Sequence, residues 1–441
     1  MKFSKEILLA ESESTGFRPE ILEKVFHLIG LLNGFNSHPF LKDRLALKGG
    51  TALNLFLFEL PRLSVDIDLN YVGSPDRETM LSERPKIEEA VRAVSSREGL
   101  SVRRVTSEHA AITFFLRYES VLGQGGDLKV DLNFMFRVPL WTVAKMDSRR
   151  IGPYGAEGVS VLDIHELAGG KLAALLARRA SRDLFDVHAL LTGSGLDPHC
   201  LRLAFVIYGA INRKDWRSVQ VSDVDFTEGD LRKELLPLLR KDAEGLGSIT
   251  RWAERLVEET RNALEPLFPF RELEKEFLDR LLDYGEIKPA LLTDDEGLAQ
   301  RISQHPGLQW KALNVRKFIC KGGKPMTPEI EAVFADEDTV TYPRVLVREY
   351  DFVMIGKRVR VRIYNHLAEE SHGHDSMGFE LSHHINTPVQ ADVYIPGTRF
   401  YGTEASALRS ALQCLTSYYE EAVEKGHQPT EEWLEENRYF K

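Results

Sequence analysis

The chain has 441 residues, of which 43% are hydrophobic and 28% charged, a balance that excludes a wholly disordered protein and predicts two or three globular domains. No apolar run approaches the roughly 20 residues that span a bilayer, and the first residues predict no secretion signal. Its three cysteines are scattered, as is typical of a protein in a reducing cytoplasm. The net charge of −10 is uneven, since residues 329–441 hold 20 Asp and Glu against 11 Lys and Arg, a net of −9.

The first half of the chain alternates between helical and strand patterns. Apolar residues at helical spacing predict that the first 48 residues are helical. Residues 48–51 predict a loop, and 52–60 a short helix that Pro61 ends. The following elements are predicted by their periodicity: strands at 65–71, 100–106, 111–118 and 128–136, and a helix at 85–98.

After Pro139 the pattern becomes helical. Asp163 is a cap for a helix that extends to Leu176, and four more segments have helical spacing: 182–191, 201–212, 228–239 and 249–282. The glycine-rich stretch 321–325 predicts a linker. Strands at 344–350, 352–355, 357–364, 378–385 and 391–395 then precede a helix at 404–425. These patterns predict an α+β protein of three domains: 1–158, 159–320 and 325–441.

Two carboxylates stand two residues apart in the strand at 65–71. Asp66 and Asp68 therefore point to the same face, and Ile67 points to the other. Two carboxylates held together repel each other, and a divalent cation such as Mg²⁺ removes that repulsion. A surface pair on an edge strand is the alternative explanation for this motif alone.

Two further features point to the same chemistry. Gly49 and Gly50 precede a helix, where backbone N–H groups and the Thr51 hydroxyl can bind a phosphate. In the strand 128–136, alternation places Asp131 on one face with Lys129. If this strand lies beside Asp66, then Asp131 can complete the metal site or accept a proton from an attacking hydroxyl.

The run Gly-Gly-Thr-Ala-Leu at 49–53, followed by Arg-Leu-Ser-Val-Asp-Ile-Asp-Leu at 62–69, closely resembles the AbiEii family of nucleotidyltransferase toxins, which includes MenT-like toxins. This family belongs to the DNA polymerase β-like nucleotidyltransferase superfamily. Gly50-Thr51 replaces the family's Gly-Ser and keeps the hydroxyl. Later motifs match at Lys129 and Asp131, at Lys171 on a helix, and at Arg179–Asp186.

The resemblance implies a polymerase β-like core, a mixed sheet with flanking helices. The sequence patterns add a helical domain after it and a small C-terminal α+β domain. The resemblance further implies a cytoplasmic toxin, not associated with membranes, of a toxin–antitoxin or phage-defence pair. Such a toxin transfers a nucleotide from an NTP, with Mg²⁺ or Mn²⁺, to an RNA acceptor, for which the tRNA 3′ end is favoured, and so blocks translation. A cognate antitoxin protein is an implied partner.

The resemblance also assigns roles to individual residues. Asp66, Asp68 and Asp131 are the predicted metal ligands, with Asp131 alternatively the base. Together with Lys171 and Asp183 they form the predicted catalytic set, and the nucleotide is predicted to contact the following residues: Gly49, Gly50, Thr51, Lys171 and Arg182. An ion pair of Asp183 with Arg179 or Arg182 is the structural alternative.

Other functions stay open at this stage. The acceptor can instead be a protein or a small molecule, or the chain can bind nucleotide without catalysis. Residues 325–441 resemble no family. Arg358, Arg360 and Arg362 alternate there on one strand face, which is consistent with an RNA contact or with a solvated charged face. The acidity of this segment favours a hypothesis in which it restrains the toxin or binds a partner.

Overall fold

The computed structural model describes residues 3–107, 110–193, 195–241, 249–320, 344–366, 377–390, 401, 403–438 and 440. The chain forms two compact units, Met1–Pro325 and Met326–Lys441. Across the residues described, no helix combines the length and the apolar character needed to cross a membrane. The predicted linker 321–325 and strand 391–395 lie outside the described residues.

The first unit is built on one seven-stranded mixed sheet, which confirms the predicted α+β class with a mixed sheet and flanking helices. Its strand order is β3-β4-β5-β2-β1-β7-β6. Its strands are β1 (Leu45–Lys48), β2 (Asp66–Tyr71), β3 (Ser101–Ser107), β4 (Ala111–Tyr118), β5 (Gly126–Asn133), β6 (Ala144–Met146) and β7 (Val159–Val161). The pairs β2/β5 and β1/β7 are parallel and the others are antiparallel.

Helices α1 (Lys5–Thr15), α2 (Pro19–Ser37) and α4 (Arg77–Arg97) accompany the sheet. Helix α2 contacts β5, β7 and α4, and α4 contacts β3. The strands turn fully buried side chains to one face, among them Ile112, Phe114 and Val130. Because strand residues alternate, the polar residues of β2, β4 and β5 lie together on the opposite face.

Two predictions near the glycines are wrong. The first 48 residues are not all helical, because Leu45–Lys48 forms β1, which pairs with both β2 and β7. Residues 49–51 are not a loop, because Gly49–Thr51 forms the first helical turn, α3, and continues as a π-helical segment, Ala52–Leu57. Strand pairing and the packing of Ala52 and Leu53 in the core are tertiary effects that override the local pattern.

A helical region completes the first unit. Helix α5 (Ile164–Arg178) begins at Asp163, whose side chain accepts from the His165 amide, as predicted. It is followed by α6 (Ser181–Thr192) and α7 (Pro198–Ile211). The remaining long helices are Ile249–Leu264, Glu272–Tyr284, Glu296–Gln304 and Pro306–Cys320. Three short helical segments follow one another over Glu228–Leu238. The single regular helix predicted at 228–239 is therefore wrong.

The three-domain division stays a prediction, including its boundary at residue 158. Strand β7 begins at Val159 and is part of the same sheet as β1. One continuous core also includes residues from both sides of this position, such as Ile67 and Leu167.

The second unit has its own core. Strands β8 (Arg344–Met354), β9 (Lys357–His366) and β10 (Met377–Leu381) form an antiparallel sheet in the order β10-β9-β8. Helix Glu404–Glu424, capped by Thr403, covers it, and β11 (His383–Ile385) pairs with β12 (Leu434–Glu436). Buried side chains of the sheet and helix meet in this core: Val359, Val361, Ile363, Ala407, Ala411 and Leu415.

The three alternating arginines of β9 point away from this core. Arg358 pairs with Asp351, and Arg362 and Arg360 pair with Glu349, both partners lying on β8. The Phe440 ring centroid lies 4.3 Å from the Arg362 guanidinium carbon. This pairing supports the solvated charged face that the sequence left open.

Candidate active site

The parallel pairing of β2 with β5 brings the predicted carboxylates to one part of the sheet. Asp66 lies opposite Lys129, and Asp68 lies opposite Asp131. Asp66 and Asp68 are half-buried on the same face. Burial and the neighbouring Asp68 carboxylate raise the pKa of Asp66, and the cations of Arg182 and Lys129 act in the opposite direction. Asp66, Asp68 and Asp131 therefore lie together on neighbouring strands. The repulsion between their carboxylates is unfavourable unless a cation offsets it.

Asp131 is held by its neighbours. Its Oδ1 accepts a hydrogen bond from the Thr113 hydroxyl, and its Oδ2 lies 2.6 Å from Lys129 Nζ. Burial alone would lower the pKa of Lys129, but the hydrogen bond and charge of Asp131 raise it. Both oxygens of Asp131 are therefore engaged by β4 and β5 side chains.

The chemistry of the donor set suits a hard divalent cation, because carboxylate oxygens are the ligands such ions prefer. Within the described parts of the chain, however, no group of three or more His, Cys, Asp and Glu side chains is arranged to hold a metal ion. Asp131 is turned toward Thr113 and Lys129, so the pair Asp66 and Asp68 is the better-formed part of the predicted site. A three-carboxylate site stays a prediction.

Gly49 lies directly under the carboxylate of Asp68. Its φ is +72°, and a Cβ at this position would lie 2.2 Å from Asp68 Oδ2. Only glycine combines this backbone conformation with this close approach. A Cβ on Gly50 would likewise lie 2.8 Å from Arg62 Nη2. Both glycines are therefore needed for the close packing of α3 against the carboxylates and Arg62.

Thr51 is buried, with 1% of its surface exposed. Its hydroxyl donates to the Asp66 carbonyl and lies 3.0 Å from the Ser64 hydroxyl. The predicted contact of Thr51 with a phosphate stays untested, but this geometry gives the side chain a positioning role on β2. The half-buried Ser64 is the more accessible hydroxyl beside Gly50.

Lys171, on α5, lies between two buried carboxylates of α6. Its Nζ is 2.8 Å from Asp183 Oδ1 and 2.8 Å from Asp186 Oδ2. Burial alone would lower the pKa of Lys171, but Asp186 and Asp183 raise it. Its side chain remains 13% exposed. Lys171 is therefore a charged lysine near the surface of the site, and the buried carboxylates of Asp183 and Asp186 compensate its charge.

Asp183 is 1% exposed and pairs with Lys171 and Arg178. Burial alone would raise its pKa, but these two cations lower it. Asp183 therefore forms ion pairs, but its partners are Lys171 and Arg178 and not the expected Arg179 or Arg182. A catalytic role for Asp183 stays a prediction, and the direct contact shown is with Lys171.

Arg182 is 37% exposed at its side chain and lies 3.4 Å from Glu234. Its charge acts to lower the pKa of Asp66, which places the guanidinium within electrostatic range of the carboxylate pair. Arg182 is thus a half-buried cation whose charge acts on Asp66, and nucleotide binding by Arg182 stays a prediction.

The structure adds three residues that were not among the predicted site residues. Asp186 is fully buried and accepts from Arg62 and from the Asn54 amide at 2.9 Å. Asn54 also donates to the Gly50 carbonyl at 3.0 Å. Burial alone would raise the pKa of Asp186, but the charges of Arg62 and Lys171 hold it well below its usual range. Arg62 and Asp186 lie inside the motifs and Asn54 directly follows one, but nothing in the motifs shows that the three side chains pair with one another.

Comparison with known proteins identifies the family. The family model for the nucleotidyl transferase AbiEii toxin of type IV toxin–antitoxin systems matches residues 30–282, more than half of the chain. Among solved structures, MenT4, a nucleotidyltransferase toxin from Mycobacterium tuberculosis H37Rv, is similar with a TM-score of 0.48 and 17% identity, over 70% of this chain and 99% of that one. No curated protein matches the chain.

Proposed function

Because the chain belongs to the AbiEii family of nucleotidyltransferase toxins of type IV toxin–antitoxin systems, we propose that it transfers a nucleotide from an NTP to an RNA acceptor. The favoured acceptor is the 3′ end of tRNA, whose modification blocks translation. A cytoplasmic location follows from this acceptor. The family shows the transferase class, whereas the acceptor, the metal and the residue roles are proposed.

One observation carries the proposal. Asp66 and Asp68 share one face of β2 and are half-buried, with Asp68 directly beside Gly49 and level with Asp131 on the neighbouring strand. This arrangement concentrates negative charge at a place where burial makes that charge unfavourable. A divalent cation and the cationic side chains around the site offset it.

Asp66 and Asp68 would hold Mg²⁺ or Mn²⁺. When bound, the ion supplies charge neutralisation for the triphosphate. Asp66 is oriented by the hydrogen bond from Thr51 to its carbonyl, and Asp68 by its packing on Gly49. Gly49 is half-buried and Gly50 is buried, and Asp68 and Arg62 fill the space that a Cβ would take on each.

In the proposed reaction the acceptor hydroxyl oxygen bonds to the α-phosphorus of the NTP. The bond from that phosphorus to the oxygen bridging to the β-phosphate breaks, and pyrophosphate leaves. Asp131 takes the hydroxyl proton, with Thr113 and Lys129 holding its carboxylate. Arg182 and Lys171 attract the charge that grows on the leaving pyrophosphate.

The proposal is tested by incubating the purified full-length protein with total bacterial RNA, Mg²⁺ and each of the four α-labelled NTPs. The matched reaction contains Asp66→Asn, which removes a charge and keeps the side-chain shape. We expect one nucleotide to label a tRNA-sized band in the wild type and not in the variant. Asp43→Asn is the control, because Asp43 is a 71% exposed aspartate that pairs only with Lys145 among the contacts described.

The other acceptors give different results. Label on protein or on a small molecule, lost in Asp66→Asn, supports a nucleotidyltransferase with another acceptor. Toxicity that persists in Asp66→Asn supports nucleotide binding without turnover. RNA labelled equally by wild type and Asp66→Asn contradicts the proposed site.

The family implies a cognate antitoxin. We propose that residues 325–441, which include the whole of the second compact unit, restrain the toxin or bind a partner. Deletion of this segment is then expected to increase toxicity or to abolish partner binding. Unchanged activity, toxicity and partner binding would exclude both roles.

A further inference from the structure

The site face of the sheet continues beyond the carboxylates onto its edge strands. Arg104 on β3 lies opposite Phe115 on β4, which lies opposite Lys129 on β5, which lies opposite Asp66 on β2. These four residues form one row across four strands. With about 4.8 Å between strands, Phe115 stands about 10 Å from Asp66 and Arg104 about 14 Å.

A β-bulge adds positive charge to this row. The register of β3 shifts between Val102 and Arg104, which leaves Arg103 as the extra residue. Arg103 and Arg117 both approach Asp127, at 3.9 and 3.5 Å. Asp127 alternates in phase with Lys129 on β5, so the two arginines reach the same face.

We define the edge face as Arg103, Arg104, Phe115, Arg117 and Lys129. Its cations are accessible: the side chains of Arg103, Arg117 and Lys129 are 64%, 45% and 42% exposed, and Arg104 is exposed. Asp127 balances one of these charges and Asp131 another. The edge face therefore retains an excess of positive charge beside a site built for triphosphates.

Phe115 is the unusual member of the edge face. It is half-buried on the polar side of β4, whereas Phe114 and Leu116 fill the core on the other side. The Arg104 guanidinium carbon lies 5.7 Å from its ring centroid. An aromatic ring bordered by arginines is the combination that binds unpaired bases, since the ring stacks on a base and the arginines pair with phosphates.

We propose that the edge face binds the single-stranded 3′ end of the RNA acceptor, with a base stacked on Phe115 and phosphates paired with Arg103, Arg104 and Arg117. This inference rests on the proposed function. The position of the row favours the acceptor strand, because it extends about three strand spacings from Asp66 toward the open edge at β3. Unpaired bases are required, because a base within a duplex has no free face to stack on Phe115.

The test measures binding of a fluorescein-labelled 12-nucleotide single-stranded RNA to the full-length protein with Mg²⁺. Phe115→Leu keeps apolar volume but removes stacking, and we expect it to weaken binding roughly 5- to 100-fold, whereas Phe115→Trp retains binding. Arg104→Gln is expected to weaken binding and to lower the salt slope by about 0.7. The matched control is Arg92→Gln on α4, where Arg92 is 45% exposed and pairs with Glu88.

Three results would overturn the inference. One is unchanged RNA binding in both Phe115→Leu and Arg104→Gln, with thermal unfolding confirming that each is folded. Another is that the two variants weaken binding of a blunt duplex of the same length as much as they weaken binding of the single strand, which would show that stacking is not involved. The third is weakened binding of an NTP with unchanged RNA binding, which would assign the face to the nucleotide donor.

Poly-glutamate, an acidic polypeptide, serves as a competitor that carries charge without bases. Poly-glutamate that binds as tightly as RNA, with Phe115→Leu changing the binding of neither ligand, would identify the edge face as a protein-binding surface. The inference would then be wrong. Binding is measured separately from transfer. Phe115-dependent RNA binding without RNA labelling contradicts the proposed function alone, whereas labelling unaffected by Phe115→Leu and Arg104→Gln contradicts the edge face alone.

Discussion

Arg62 and Asp186, 124 residues apart in the chain, form a two-point ion pair in the interior of the first unit. Arg62 Nε lies 2.9 Å from Asp186 Oδ1, and Nη2 lies 2.6 Å from Oδ2. The side chains are 2% and 0% exposed. Because Asp186 also contacts Lys171 and Asn54, this pair connects α6 to α5, to the π-helical segment Ala52–Leu57 and to the segment that leads into β2.

Breaking this pair is expected to destabilise the protein strongly. Arg62→Met leaves Asp186 short of its two-point partner and should lower the free energy of unfolding by about 3–5 kcal/mol in urea titration. The double variant Arg62→Met/Asp186→Leu should lose less than the two single variants added together. Arg92→Met, at an exposed ion pair, should change stability by no more than about 0.5 kcal/mol. Additive losses would show that the two residues are not coupled.

Gly49→Ala should reduce activity, because the added Cβ collides with the Asp68 carboxylate. Gly99→Ala is a matched control, because Gly99 has a φ of +80° and no atom within 4 Å of the position that a Cβ would take, whereas Gly49 combines a φ of +72° with the 2.2 Å approach to Asp68. Both variants should lose about 1–2 kcal/mol of stability from backbone strain. We expect only Gly49→Ala to reduce nucleotide transfer, by at least about 10-fold, and equal activities would contradict the positioning of Asp68 by Gly49.

Asp66→Asn should separate stability from activity. The substitution removes one of two carboxylates that repel each other in a half-buried site, so the melting temperature without divalent cations should stay constant or rise. Stabilisation by added Mg²⁺ should be lost, and transfer should fall by at least roughly 100-fold. Asp76→Ala should instead lower the melting temperature and leave the Mg²⁺ response and transfer unchanged, because it removes the cap that accepts from the Thr79 amide, at a cost of about 1 kcal/mol. A melting temperature that falls in Asp66→Asn while its Mg²⁺ response survives would contradict the metal site.

Glu166 should make stability depend on pH near neutrality. Burial raises the pKa of this carboxyl from 4.5 to about 7 in the folded protein. Its contribution to stability is therefore fully present below pH 4.5 and is lost as the pH rises through 7. We expect the stability of wild type relative to Glu166→Gln to fall by up to about 3 kcal/mol between pH 4.5 and 8.

Tyr208 offers a second measurement of the same effect. Its hydroxyl donates to Glu166 at 2.8 Å, which favours the charged carboxylate. Tyr208→Phe should therefore increase the loss of stability with rising pH, as measured by urea unfolding at a series of pH values. Identical pH profiles for wild type, Glu166→Gln and Tyr208→Phe would show that Glu166 does not titrate in this range.

Local patterns in the chain were enough to predict the parts of the site that depend on neighbouring residues. A period of two places Asp66 and Asp68 on one face of a strand, and this follows from backbone geometry alone. Asp163 and Thr403 accept hydrogen bonds at helix starts for an equally local reason. The family resemblance was likewise visible in short motifs.

Long-range packing set the rest, because pairing between distant strands and side chains leaves no local period. Nothing near residue 45 indicates that β1 joins the sheet, and nothing near Asp186 identifies Arg62 as its partner. The parallel register of β2 with β5 places Asp131 level with Asp68, and the bulge in β3 brings Arg103 and Arg104 to the edge face. The sequence motifs identify the chemical groups of the site. The positions of these groups relative to one another depend on burial of the opposite face of the sheet, because only one strand register keeps Ile67, Val130 and Phe114 in the core.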